Sequence, residues 1–253
     1  MESRKQALIF IAIAAGLVLL SRTYFSTASL IAFAPLIGLL ENTSDRKFPF
    51  FYWFGGALLV FGLNAVLTLS DPISIIIYSI GITLACSAYL LTTYFSKNKL
   101  GVFTLLLFWL GFDYLILKVL PTASNAFLST FFDGYKIVGW SRKTGYFGIT
   151  AWIIIANILF YYVFLWRDAL LKNKIRWLSL IYSILLIVIP VAIGLFIAPE
   201  LTPVTLAELN TVYAGNSSVT DLNYSENGEW LGRTAAWVSI MILVYAVIKG
   251  KIK

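Results

Sequence analysis

Residues 72–96 read PISIIIYSIGITLACSAYLLTTYFS, an unbroken apolar block without one Asp, Glu, Lys or Arg. A bilayer core of about 30 Å is crossed by about 20 apolar residues in a helix, so an uncharged run of this length reads as a membrane span. The block is continuously apolar rather than alternating, which favours a helix over a barrel strand. Working outward, similar blocks occupy 6–21, 24–40, 49–70, 101–120, 146–166, 177–198 and 230–248. The second carries Pro35 and is expected to be kinked or tilted. The expected fold is an all-α integral membrane protein, a bundle of about eight transmembrane helices forming one domain over 1–253.

Composition agrees with that class. The 253 residues are 60% hydrophobic and 12% charged, with mean hydropathy +0.86. Soluble domains run about 45–50% apolar and about 25% charged. Arg4 and Lys5 before an apolar stretch, with Ser26-Thr27-Ala28 after it, also fit a secretory signal peptide. Tyr24 and Phe25 make a poor cleavage region and the apolar pattern resumes at once, so a retained helix is favoured.

Charge placement then suggests an orientation. With the N-terminus inside, Arg4, Lys5, Arg46, Lys47, Lys97, Lys99, Arg167, Lys172, Lys174, Arg176, Lys249, Lys251 and Lys253 lie on the cytoplasmic side, 13 of the 19 basic residues. The positive-inside bias therefore puts both termini in the cytoplasm. The other side holds Arg22, Lys118, Lys136, Arg142, Lys143 and Arg233 with most of the acids. Two outward segments are long: 121–145, read as re-entrant or interfacial, and 199–229, read as a polar, acidic loop. The location expected is a bacterial cytoplasmic (inner) membrane.

Several function classes fall away. The chain has no His and a single cysteine, Cys86, which excludes histidine relays, an intrachain disulfide and cysteine-based zinc sites. The net charge of +7 comes without a basic run, and the aromatics lie inside apolar blocks, so nucleic acid is not an expected partner. No Gly-rich phosphate loop, acidic metal cluster or pair of intramembrane carboxylates is visible, and no cofactor or metal is expected.

Candidate site residues lie in two places. Asp113 sits in FWLGFDYLILK of the fifth block with Trp109 one turn earlier; an intramembrane carboxyl is expensive and points to substrate or ion contact. Its alternative role is bundle glue, paired with Lys118 or a neighbouring helix. The stretch 131–148, FFDGYKIVGWSRKTGYFG, alternates aromatics with Lys136, Arg142 and Lys143 among four glycines. Trp140, Arg142 and Lys143 could meet phospholipid headgroups at the outer surface; the plainer reading is an aromatic belt. Cys86 reads as a packing residue. Gly81 with Ala85, and Ala34 with Gly38, have the spacing of close helix contacts, while Asn64 and Asn157 read as interhelical hydrogen bonders. Asn216-Ser217-Ser218 and Asn223-Tyr224-Ser225 match glycosylation acceptors, which matter only in a eukaryotic secretory membrane.

Taken together, these features resemble the membrane part of bacterial apolipoprotein N-acyltransferase. Phe33-Ala34-Pro35 resembles the family's Phe-Ala-Pro turn, and Trp109 to Asp113 its Trp-x-x-x-Glu with Asp for Glu. Gly134 through Trp140, Gly145, Gly148 and Asn157 is similar to its Gly-Phe-Pro-Trp segment and Asn-bearing helix, and Glu229-Trp230-Leu231-Gly232-Arg233 to the Gly-Asp-x-x-x-Arg ending of some members. The resemblance implies eight spans and a nitrilase-like domain between the seventh and eighth, where a Glu-Lys-Cys set transfers the acyl group. Here 199–229 has neither Cys nor Lys and is far shorter than a domain of roughly 100–150 residues. No catalytic residue carries over, and this chain alone is not expected to be an enzyme.

The expected function is therefore a non-catalytic or degenerate N-acyltransferase-like membrane protein. It would bind membrane phospholipid, a lipoprotein or a separately encoded catalytic subunit. Alternatives are a small-solute transporter or channel with Asp113 on the path, a structural membrane subunit, or a truncated product.

Overall fold

Apolar runs in lipid become helices because the backbone must satisfy its own N–H and C=O groups. The computed structural model describes residues 2–96, 101–165, 177–197, 205 and 229–251, and all regular structure among them is helical. Helix α1 spans Glu2–Thr23. A 3-10 turn at Ser26–Ala28 leads into α2 (Ser29–Ala32) and α3 (Ala34–Ser44). Then come α4 (Phe50–Val66), α5 (Pro72–Ser96) and α6 (Phe103–Val119). Three 3-10 turns at Pro121–Ala126, Leu128–Phe132 and Lys136–Val138 precede the short α7 (Ser141–Thr144). Helix α8 (Tyr146–Phe160) ends in a π turn, Tyr161–Leu165. Helix α9 (Trp177–Ala192) also ends in a π turn, Ile193–Ile197, and α10 spans Trp230–Lys251.

The expectation of about eight transmembrane helices does not hold. By length and composition, four helices among the described residues can cross a membrane: Arg4–Thr23, Pro72–Phe95, Tyr146–Leu165 and Trp230–Gly250. The other four sequence blocks do not give such a helix, because each is broken, shortened by turns at its ends or interrupted by a proline. Block 24–40 breaks outright at Phe33, whose φ is −95° and ψ −5°, and restarts with Pro35 near the new N-terminus, where a missing N–H is tolerated. Block 49–70 yields the 17 residues Phe50–Val66; at 1.5 Å per residue that is about 26 Å, short of the hydrocarbon thickness. Block 101–120 likewise yields 17 residues and carries Asp113 and Lys118. Block 177–198 contains Pro190 and forms a shorter apolar helix. The loop-by-loop sidedness rested on the count of eight and goes with it.

The chain is nonetheless a helical membrane protein with several apolar helices of multi-pass type. On α5, Ile73, Ile76, Ile80, Leu84 and Leu91 are exposed along one stripe; on α10, Trp237, Met241, Val244 and Ile248 are. Apolar faces this extensive are lipid-facing rather than wetted.

The core lies where α5 runs between α4 and α6, with α10 against α5 and α6, α1 against α3 and α4, and α9 outside α8. Helices α6 and α10 meet through small residues: a Cβ on Gly111 would lie 3.0 Å from the Ala236 Cα. Gly145, at φ +77°, joins α7 to α8 in a conformation that side chains resist. Contacts also define two ends. At one, Gly250 meets Phe95 and Phe10 lies beside Gly38; the helix ends that bear Arg4 and Lys5, Arg46 and Lys47, and Lys249 belong to it, and this is the basic end. At the other lie the turns of 121–138, and we call it the platform end. The 199–229 loop with Asn216 and Asn223, apart from Thr205 and Glu229, lies outside the described residues, as do Lys97, Lys99, Arg167, Lys172, Lys174 and Arg176.

Candidate functional site

The platform is built on one side chain that sequence reading treated only as a loop charge. Arg22, in the last turn of α1, donates Nε to Asn64 Oδ1 at 2.9 Å, Nη1 to Thr130 Oγ1 at 2.7 Å and Nη2 to the Phe127 carbonyl at 3.3 Å. Its guanidinium lies over the Phe131 ring, 3.7 Å from the centroid. Asn64 continues the network by donating Nδ2 to the Ala126 carbonyl at 2.7 Å. The planar fork of Arg thus satisfies backbone and hydroxyl acceptors that 3-10 turns leave over. The signal in the sequence was an Arg at the end of a span that also holds Ser21 and Thr23, together with a mid-span Asn in α4.

Below this network the turns are packed rather than loose. Ala123, Ala126, Phe127, Leu128, Phe131, Phe132 and Val138 are buried, and the Ser74 and Thr122 hydroxyls approach to 3.4 Å. Trp140 stands edge-on to Trp152 at 6.0 Å, and Phe132 lies 5.3 Å from the same ring. Trp152 Nε1 donates to the Leu186 carbonyl of α9 at 2.9 Å. The Trp140 indole N–H is buried without a hydrogen-bond partner among the described residues. Arg142 is half-buried, whereas Lys143, Lys136 and Tyr135 are exposed. The platform therefore presents cations around a fixed aromatic floor.

Asp113 and Trp109 form a second, interior group. Asp113 is wholly buried, and neither carboxyl oxygen has a hydrogen-bond partner among the described residues; the same is true of Trp109 Nε1 and the Tyr78 hydroxyl. Lys118 does not pair with Asp113. It bridges instead to Glu229 at 3.0 Å, which Arg233 also approaches at 3.8 Å, tying α6 to the start of α10. Trp109 meets Phe33 and Phe61 edge-on at 5.6 and 5.1 Å. An ionised carboxylate here would cost several kcal/mol, so Asp113 is not glue in the sense of a satisfied pair.

The five candidate residues thus fall in two groups, Trp109 with Asp113 inside and Trp140, Arg142 and Lys143 on the platform. Asn157 does hydrogen-bond between helices: Oδ1 accepts the Phe33 N–H at 2.7 Å while Nδ2 donates to the Ser29 and Ile153 carbonyls, each at 2.8 Å. It caps the break before Ala34-Pro35. Gly81 receives Phe112 rather than a small partner, and Gly38 receives Tyr161; the closest small-residue approach, Gly111 to Ala236, was not singled out. Cys86 is fully buried. Among the described residues no group of three or more His, Cys, Asp or Glu is placed to hold a metal. Compared with known proteins, the chain matches no family model, no curated protein and no solved structure.

Proposed function

We propose that this chain is a non-catalytic membrane protein of the apolipoprotein N-acyltransferase type, seated in a bacterial inner membrane. Its platform binds membrane phospholipid, and a lipoprotein or a separately encoded catalytic subunit docks there. The observation that carries the reading is the Arg22-anchored platform. Its aromatic floor holds Trp140 edge-on to Trp152, with Arg142 and Lys143 on the helical turn that follows. Cations beside interfacial aromatics suit phosphate headgroups at a membrane surface. Asn157 capping the Phe33-Ala34-Pro35 break, and Glu229 joining Lys118 to Arg233, give structural roles to motifs on which the resemblance rests. The test is purification from native membranes: wild type should co-purify with phospholipid, and R142Q/K143Q should retain several-fold less. Equal retention would sink the reading.

One observation favours a transport reading instead, the buried Asp113 carboxyl without a hydrogen bond. In that case D113N abolishes solute or proton flux in proteoliposomes; unchanged flux removes it.

A further inference from the structure

A groove of about 1000 Å³ opens at the basic end, between the turn joining α3 to α4 and the last turns of α5. Its walls include Phe50, Leu84, Leu91 and Tyr94, each with at least half of its surface exposed. Arg46 and Lys47 stand at one side. The groove is therefore polar and cationic at one edge and greasy along its length.

The turn that places the cations is unusual. Arg46 has φ +58° and is the one non-glycine residue with positive φ among the described residues. It ends α3 in a left-handed conformation, donating its N–H to the Thr43 carbonyl at 2.9 Å while Lys47 N–H reaches the Asn42 carbonyl at 2.9 Å. Glycine is the ordinary residue at such a helix end, since a Cβ is disfavoured there. Strain of this kind tends to persist where a side chain is used. Lys47 pairs with Asp45 at 3.2 Å in an exposed setting, where such a bridge contributes little. The Arg46 guanidinium forms no hydrogen bond or ion pair among the described residues.

We infer that this groove binds an anionic phospholipid, with the phosphate at Arg46 and Lys47 and an acyl chain along Leu84, Leu91 and Phe50. A water-soluble phosphate would use the cations and leave the apolar walls uncovered. A zwitterionic lipid would bring its own ammonium toward two cations. Only an anionic amphiphile matches both halves of the groove, and Tyr94, in the last turn of the apolar helix α5, is of the residue type that gathers beside headgroups. The site lies at the opposite end from the platform and does not rest on the function proposed above.

The test uses the full chain in neutral detergent, titrated with phosphatidylglycerol or phosphatidylcholine of matched chains and read by native mass spectrometry. Wild type should bind phosphatidylglycerol about thirtyfold better, the scale expected of two cations near a headgroup. R46G/K47Q should abolish that preference while its thermal unfolding midpoint stays at or above wild type, because glycine suits the turn. L84E, which leaves the turn intact, should lower phosphatidylglycerol occupancy as well, and K249Q should leave it unchanged. Equal binding of the two lipids would overturn the inference. So would a preference that survives R46G/K47Q, phosphatidylglycerol occupancy unchanged by L84E, or full competition by water-soluble glycerophosphoglycerol. R142Q/K143Q, which tests the platform, should have no effect here.

Discussion

Arg22 donates Nη1 to the Thr130 hydroxyl at 2.7 Å, joining the last turn of α1 to a turn 108 positions later in the chain. With the bonds to Asn64 and Phe127, this contact fixes the platform to the bundle. Hydrogen bonds to a charged group are worth about 1.5–3 kcal/mol each and do not add fully. R22L should therefore lower stability by about 2–4 kcal/mol, read as a fall in the thermal unfolding midpoint in detergent. Limited proteolysis should then cut within 121–138 far faster. R22K, with a single ammonium in place of the fork, should recover only part of the loss.

Asp113 should behave differently from an ordinary buried ion-pair partner. Neither of its oxygens is hydrogen-bonded, so D113L removes no bond and relieves a desolvation penalty; an unsatisfied buried polar group costs about 1–3 kcal/mol. D113L should unfold at the wild-type temperature or above it. A midpoint several degrees lower would reveal a polar partner for the carboxyl.

Glycines at helix contacts and on helix surfaces should respond with opposite sign. G111A forces a Cβ to within 3.0 Å of the Ala236 backbone, and overpacking of this kind costs about 1–3 kcal/mol. Around Gly55 of α4 an added Cβ meets nothing within 4 Å, so G55A should be neutral or stabilise by up to about 1 kcal/mol through helix propensity. Equal effects of the two substitutions in an unfolding assay would contradict the α6–α10 contact.

Acid should act through the start of α5. The Ser74 hydroxyl donates to Asp71 Oδ2 at 2.7 Å and the Ser74 N–H at 2.8 Å. These bonds, the hydroxyl's first, hold the Asp71 carboxyl below its ordinary value of 3.8. A carboxyl depressed in the folded state contributes stability above the unfolded value, and that contribution is lost as pH falls through the folded one. Wild type should show this loss only below about pH 4, and D71N should lack that component. With no histidine in the chain, no side chain of that type adds a step between pH 5 and 8. A D71N profile that matches wild type below pH 4 would show that the Ser74–Asp71 bonds contribute nothing to this loss.

The membrane class was legible in the sequence because lipid demands long apolar runs, and residues 72–96 form a helix over the range expected. The span count was not, since apolar character continues through turns. Phe33 ends α2 without any polar residue marking the break, and Leu67 and Leu69 lie beyond the end of α4 although both are apolar. Asn157 was recognised as an interhelical donor, but its partner at the Phe33 break depends on residues 124 positions away. Arg22 was missed for the same reason: its role is set by acceptors that only tertiary folding brings to it. Arg46 carried no sequence signal at all, because a left-handed arginine looks like any other loop cation.

If the platform meets phospholipid, photo-crosslinking from its exposed side chains will capture that lipid. A benzophenone side chain is introduced at Tyr135 or at Lys143, both exposed, and irradiated in membranes carrying radiolabelled phospholipid. Both positions should label lipid strongly, and the labelling should fall several-fold when R22L releases the platform. Weak labelling from both, or labelling that is unchanged by R22L, would overturn that contact.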